Sequence, residues 1–221
     1  MLTGFIFFSI YHMVNKIYAQ IISSKSIGGK VNMAKFNVPG NVSVNDFFEK
    51  HVPAQFKEIT AGANLSSLAG KEVNLQFNVN DQSYCLNIKD GKNLDVIKGG
   101  VAKPLLTLSL SEQIFLDAVT GKIEGMIDRF TDPVEIANPG RLNALMGTKG
   151  TLNLNLKQDG NNIPVTMIFN GEAKPSVDLS LELKDWIAIQ NKETTGQNLF
   201  MNGKMKFTGD MVLLMKLQSL I

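Results

Sequence analysis

One cysteine, two histidines and one tryptophan are all that this 221-residue chain holds of the residues that most often ligate metals, exchange electrons or stack on ligands. A lone Cys85 excludes an intrachain disulfide framework and fits a reducing compartment. His12, His51 and Cys85 are too few for a zinc centre built from the usual ligands, of which three or four must converge. Charge is also scarce. Charged residues make up 19% of the chain and the formal net charge is +2. That balance gives no basic field for nucleic acid and no strong steering of anionic substrates. Long apolar runs are missing as well. Residues 2–22 are mostly apolar but are interrupted by His12, Asn15 and Lys16, whereas a spanning helix needs about 20 predominantly apolar residues. A secretory signal would need a basic n-region and a longer run than residues 4–10. Met33-Ala34-Lys35 reads as an alternative start. Residues 1–40 are therefore expected to be an N-terminal extension or an interfacial segment outside the native fold, with a signal or anchor as the remaining alternative.

Catalytic signatures are absent too. There is no Gly-x-Ser-x-Gly elbow, no phosphate-binding Walker loop and no His-Glu-x-x-His. Gly147-Thr148-Lys149-Gly150 has the residue types of a phosphate loop at the wrong spacing, ahead of a strand, and reads as a turn. Cys85 sits in a strand, opposite Tyr84, Leu86 and Ile88, with no histidine nearby in sequence to act as base, so an inert thiol is expected. His51 reads as a surface or satisfied histidine, and Glu124 with Asp128 as a solvated helix face rather than a glycosidase pair. No catalytic residue, metal ligand or cofactor is assigned, and the chain is read as no enzyme.

What the sequence has is apolar mass, 44% of it hydrophobic, with ten methionines. Methionine suits cavities that accept variable shapes and equally fills irregular core gaps. Ser43 and Asp46 can open a helix whose apolar face is Phe47, Phe48, Val52, Phe56 and Ile59, with a kink expected at Pro53. Val73, Leu75, Phe77 and Val79 then alternate with Asn74, Gln76 and Asn78. After the Asn80-Asp81 turn the alternation resumes through Tyr84, Leu86 and Ile88, and Asp90-Gly91 leads to Leu94 and Val96. This predicts an antiparallel meander with one buried and one wet face. Ala102-Lys103-Pro104 recurs 71 residues later as Ala173-Lys174-Pro175. Leu108-Ser109-Leu110 recurs at the same offset as Leu179-Ser180-Leu181, and Phe115 as Trp186. These matches predict an internal repeat with units 73–130 and 152–219, the second lacking a strand like residues 94–98. The alternative is chance likeness of two amphipathic strand–helix units. Thr131-Asp132-Pro133 and Asn138-Pro139-Gly140 flank a short helix over residues 141–146. One continuous domain over 41–221 is expected, since a unit of about 70 residues is small to stand alone. Helices over residues 111–119 and 185–190 would carry Ile114, Phe115, Leu116, Trp186, Ile187 and Ile189 onto strands that bury Leu106, Leu108, Leu110, Leu179, Leu181 and Leu183.

The end of the chain carries the most pattern. Gly203, Lys204, Lys206, Gly209 and Asp210 lead into a helix with Met211, Leu214, Met215, Leu217 and Leu220 on a broad apolar face, widened by Val212 and Leu213. Asp210 stands at its N-cap position. The ordered set Gly203, Lys204, Lys206, Gly209, Asp210, Lys216 and Leu217 resembles the signature of the sterol carrier protein family. The strand order over 73–110, the Ser-Glu helix start and Thr120-Gly121-Lys122 resemble it too, so the likeness covers residues 45–221. It implies an α+β fold, a mostly antiparallel mixed sheet covered by helices with an internal hydrophobic tunnel. It also implies non-enzymatic binding and transfer of sterol-like lipids, fatty acids or fatty acyl-CoA. Carried over by position, the tunnel lining is Phe200, Met201, Met205, Met211, Leu214 and Met215, joined by Leu108, Phe115, Leu116, Leu181 and Trp186. Lys204, Lys206 and Lys216 could rest transiently on anionic headgroups. The end Gln218-Ser219-Leu220-Ile221 does not match the peroxisomal signal of some family members, which argues for the cytoplasm. The inserted stretch 131–150 could have remodelled the tunnel. Two alternatives stand beside the carrier: a dimerisation module with a filled core, and an accessory domain presenting lipids to an enzyme.

Overall fold

The computed structural model describes residues 38–60, 65–123, 139–190 and 193–220. The expectations for residues 1–37, for Glu124 and Asp128, and for the turns at 131–133 and 138 lie outside these. Among the described residues, eight strands form a single mixed sheet: β1 (Glu72–Val79), β2 (Gln82–Lys89), β3 (Asn93–Lys98), β4 (Leu106–Leu110), β5 (Gly150–Gln158), β6 (Asn161–Phe169), β7 (Ser176–Glu182) and β8 (Met205–Gly209). Their order is β3-β2-β1-β4-β6-β5-β7-β8. With its helices this is an α+β fold.

The helices are α1 (segments Val44–Asp46, Phe47–His51 and Val52–Thr60), α2 (Glu112–Val119), α3 (Pro139–Gly147), α4 (Leu183–Gln190), α5 (Gly196–Met201) and α6 (Met211–Leu220). Polar side chains open four of them. Ser43 accepts from Asp46 N at 3.0 Å, Ser111 from Ile114 N at 3.3 Å, Thr195 from Asn198 N at 3.1 Å and Asp210 from Leu213 N at 2.7 Å. Each satisfies an otherwise orphaned helix N–H. The kink expected at Pro53 takes the form of a widened turn just before it. Phe47–His51 is π-wound, and the Val52 N–H reaches the Phe47 carbonyl five residues back. Pro53 has no N–H to give the preceding turn and its ring crowds the carbonyl four residues earlier, so the turn opens. Phe47 and Phe48 both point inward from it.

The two halves of the sheet share one pairing scheme. β1 lies antiparallel to β2 and parallel to β4, while β5 lies antiparallel to β6 and parallel to β7. Leu75, Phe77 and Val79 oppose Leu106, Leu108 and Leu110; Leu152, Leu154 and Leu156 oppose Val177, Leu179 and Leu181. The place β3 takes against β2 in the first half is taken against β6 by β4, antiparallel in both cases. A separate strand at that position in the second half is therefore unnecessary, because the first half supplies it. One apolar core runs beneath both halves and takes in Val38, Val42, α1, α2, α4 and α6.

The opposite face differs from the wet one expected. Asn74, Gln76, Asn78, Ser83, Ser109, Asn153, Thr166 and Asp178 lie on it in hydrogen-bonded chains such as Gln76–Asn78–Ser83 and Thr166–Asn153–Asp178. Cys85, Asn87, Thr107 and Thr151 on this face are nonetheless buried.

Candidate functional site

The region from α3 to the end of α6 holds most of the residues that the last twenty positions of the sequence pointed to. Its inner layer is built from alternate residues of four strands: Leu152, Leu154 and Leu156; Ile163, Val165, Met167 and Phe169; Val177, Leu179 and Leu181; and Met205. Leu183 and Trp186 of α4, Leu199 of α5, Leu145 of α3, and Leu213, Leu214 and Leu217 of α6 close over them. Two glycines let the backbones approach where α6 begins. A Cβ on Gly209, at φ +108°, would stand 2.3 Å from the Ser176 carbonyl oxygen, and one on Gly150, at φ +124°, 2.4 Å from that of Pro175. Only glycine avoids both the clash and the left-handed strain. The amide of Asn170 reaches the carbonyls of Leu145 at 3.0 Å and Met146 at 3.2 Å, which fastens the end of α3 to the β6–β7 turn.

The eleven residues proposed as lining fall into two sets. Leu108, Phe115, Leu181, Trp186, Met205 and Leu214 are buried in the core, and Leu116 packs half-buried against it. Leu181 and Met205 are direct partners across β7 and β8. Leu108 and Phe115 belong to the first half, and Phe115 stacks there on Phe48 at 5.4 Å. The other four are on the outside: Phe200 at 50% exposure, Met201 at 71%, Met211 at 53% and Met215 at 64%. The apolar face of α6 is thus two faces, with Leu213, Leu214 and Leu217 turned inward and Met211, Val212 and Met215 outward. The sequence pattern gave a wide apolar arc without saying which part of it met the core. Leu154, Val165, Met167 and Leu199 were missed, although the strict alternation of 152–156 and 163–169 marks three of them.

On the opposite side of β5–β8 lies an open hollow of about 310 Å³, lined by Asn153, Asn155, Pro164, Thr166, Asp178, Ser180, Lys206 and Thr208 among others. Asn153 donates to Asp178 at 2.8 Å, and Thr208 to the other carboxylate oxygen at 3.3 Å. Its amides, hydroxyls and charges do not suit an acyl chain. Cys85 is far from nucleophilic: burial pushes its thiol above the ordinary range, and the Glu72 carboxylate adds to this. Among the described residues no group of three or more His, Cys, Asp and Glu could hold a metal. No helix among them is long and apolar enough to cross a membrane.

With the doubly apolar terminal helix placed against β7, the comparisons with known proteins fall into line. Residues 127–221 match the SCP-2 sterol transfer family. The SCP-2 region thus contains α3, β5 to β8 and α4 to α6, and leaves the first half outside the match. Similar solved structures include Sterol Carrier Protein 2 Like 2 from Aedes aegypti, 26% identical over 34% of this chain and 75% of that one, with a TM-score of 0.29. Another is the sterol carrier protein domain 2 of Helicoverpa armigera, 23% identical over 36% of this chain and 71% of that one, TM-score 0.31. A third is the sec-alkylsulfatase Pisa1 from Pseudomonas sp., 13% identical over 76% of this chain but 16% of that one, TM-score 0.20. Among curated proteins nothing matches.

Proposed function

We propose that the chain binds a sterol-like lipid, fatty acid or fatty acyl-CoA between β5–β8 and the helices α4 to α6, and exchanges it with membranes without chemistry of its own. One observation carries the reading: the match to a sterol transfer family falls on the half whose inner layer is aliphatic and methionine-rich. Leucine and methionine side chains can part around a flexible chain, whereas stacked rings resist it. Burying a 16-carbon chain at about 0.8 kcal/mol per methylene is worth on the order of 13 kcal/mol relative to water, and a bilayer offers about the same. Uptake and release are then nearly balanced. Leu213, Leu214 and Leu217 seal the layer, so lipid enters by displacing α6. The free thiol of Cys85 suits a reducing, cytoplasmic setting.

Native mass spectrometry after incubation with fatty acid, acyl-CoA and sterol tests this. The wild-type chain should retain lipid. Val165→Tyr, which places in the second half the ring that Tyr84 supplies in the first, should fold but lose it. A chain that stays free of all three lipids would overturn the carrier reading. A second reading, self-association through α6, is favoured by the outward Met211, Val212 and Met215. Sedimentation velocity over a concentration series would reveal a dimer directly.

A further inference from the structure

Six of the seven large apolar residues that are exposed among the described ones, Met146, Phe200, Met201, Met211, Val212 and Met215, lie on α3, α5 and α6; the seventh is Ile97 on the outer strand β3. Surface hydrophobics scattered singly need no explanation, but a run on one helix does. On α6, Met211, Val212 and Met215 stand at i, i+1 and i+4 and expose 53%, 65% and 64% of their surface, while Leu213, Leu214 and Leu217 hold the helix to the core. We propose that this outer face of α6 is a docking surface for an anionic lipid bilayer. The inference rests on the lipid-exchange reading above and names where exchange takes place.

Charge and size choose the occupant. The only charged residue in α6 is the exposed Lys216, and the single acid at its start, Asp210, is turned to the helix N-terminus, where its carboxylate holds the Leu213 N–H at 2.7 Å. An apolar face edged by lysine and free of acids is complementary to negatively charged headgroups. Three side chains fall well short of the roughly 800 Å² per partner that a stable protein interface buries, yet they suffice for shallow insertion among acyl chains. Two unbranched methionines offer adaptable surface rather than the aromatic and arginine anchors on which protein interfaces concentrate their energy. The arrangement also couples docking to exchange, because the helix that touches the bilayer is the one that seals the inner layer.

The experiment places a reporter on the face itself. In the full chain, Met215→Cys gives one exposed thiol, since Cys85 is fully buried, and it takes an environment-sensitive fluorophore. Emission should shift to the blue with phosphatidylserine-containing vesicles, far less with pure phosphatidylcholine, and return in high salt. In the otherwise unmodified chain, Met211→Gln, Val212→Gln and Met215→Gln combined should leave the circular dichroism and melting temperature intact while vesicle partitioning falls about tenfold or more. Lys216→Gln should cost about fivefold on anionic vesicles only. Undiminished vesicle binding by the triple variant would overturn the proposal. So would a blue shift that follows protein concentration without vesicles, which would make a second copy the occupant. Fatty acid delivered from cyclodextrin separates the two readings. A triple variant that still takes up the acid but no longer docks supports both; a wild type that docks but never holds lipid keeps the docking face and removes the carrier.

Discussion

The two halves of this molecule use the same strand pairing and fill it with different chemistry. Where β1 carries Phe77, β5 carries Leu154 at the matching register; Tyr84 on β2 corresponds to Val165 on β6. The π-wound turn of α1 adds Phe47 and Phe48, and the rings close on one another. Phe48 lies 4.5 Å from Tyr84, 5.2 Å from Phe77 and 5.4 Å from Phe115, and Phe47 lies 5.2 Å from Phe115. Rings packed at these distances gain specific geometry beyond their area and leave little room for a guest. In the second half only Trp186 and Phe169 bring large rings to the inner layer, and leucine, valine and methionine do the rest. Shared topology thus does not imply shared use: one half is built as a filled scaffold, the other as a layer that can part.

That contrast can be broken most sharply at Phe48. Phe48→Ala should cost about 3–5 kcal/mol, because the ring is fully buried among four others and its neighbours cannot collapse into the space. Chemical denaturation measures it, and fatty acid should not restore the loss if lipid enters only the second half. Recovery in the presence of fatty acid would mean that the first half also accepts a guest. The next effect belongs to the second half. Gly209→Ala and Gly160→Ala both place alanine at positive φ, but only the first meets an oxygen, at 2.3 Å; around Gly160 there is open space. Gly209→Ala should therefore lose about 1–3 kcal/mol more than Gly160→Ala, read as the difference in denaturation midpoint. Equal losses would show that the close approach of β8 to Ser176 is not what positions α6.

Much of this was legible in the residues. The alternation of Val73, Leu75, Phe77 and Val79 marked the inner face of β1, and Asp210 was recognisable as a cap before its 2.7 Å bond to Leu213 N was seen. The 71-residue offset between Leu108 and Leu179 reappears as equivalent register positions opposite Phe77 and Leu154. Three things were hidden, each for a physical reason. The widened turn before Pro53 depends on how a helix relieves a missing N–H, which several geometries can do. The place of β4 beside β6 is a long-range pairing that no local pattern encodes. The outward turn of Met211 and Met215 follows from which arc of a nearly all-apolar helix meets β7, and periodicity is uninformative when almost every position is apolar.

Smaller effects sharpen the comparison from its two ends. Asp210→Ala removes the cap of α6 and should cost about 1 kcal/mol, with hydrogen exchange rising across residues 211–217 and little change in α1 or α2. Uniformly raised exchange would mean that α6 does not open as a unit. The least costly change is in pH, and it reports on the first half. Burial pushes the Tyr84 phenol above its ordinary range, helped by the Glu49 carboxylate, and burial followed by Glu72 does the same to the Cys85 thiol. The Tyr84 hydroxyl lies 3.0 Å from Asn45 Oδ1 and 3.1 Å from Gln82 Oε1, bonds that a phenolate could not donate. Both groups are acids held neutral by folding. Their contribution is complete below the unfolded values of about 8.5 for cysteine and 10 for tyrosine, and is lost as pH rises through the higher folded values. Melting temperature should accordingly fall on the alkaline side, beginning above about pH 8.5. Tyr84→Phe with Cys85→Ala should flatten that limb relative to neutral pH. If the limb keeps its slope in the double variant, the alkaline weakness lies elsewhere, and the filled half is no more sensitive to base than the half that parts.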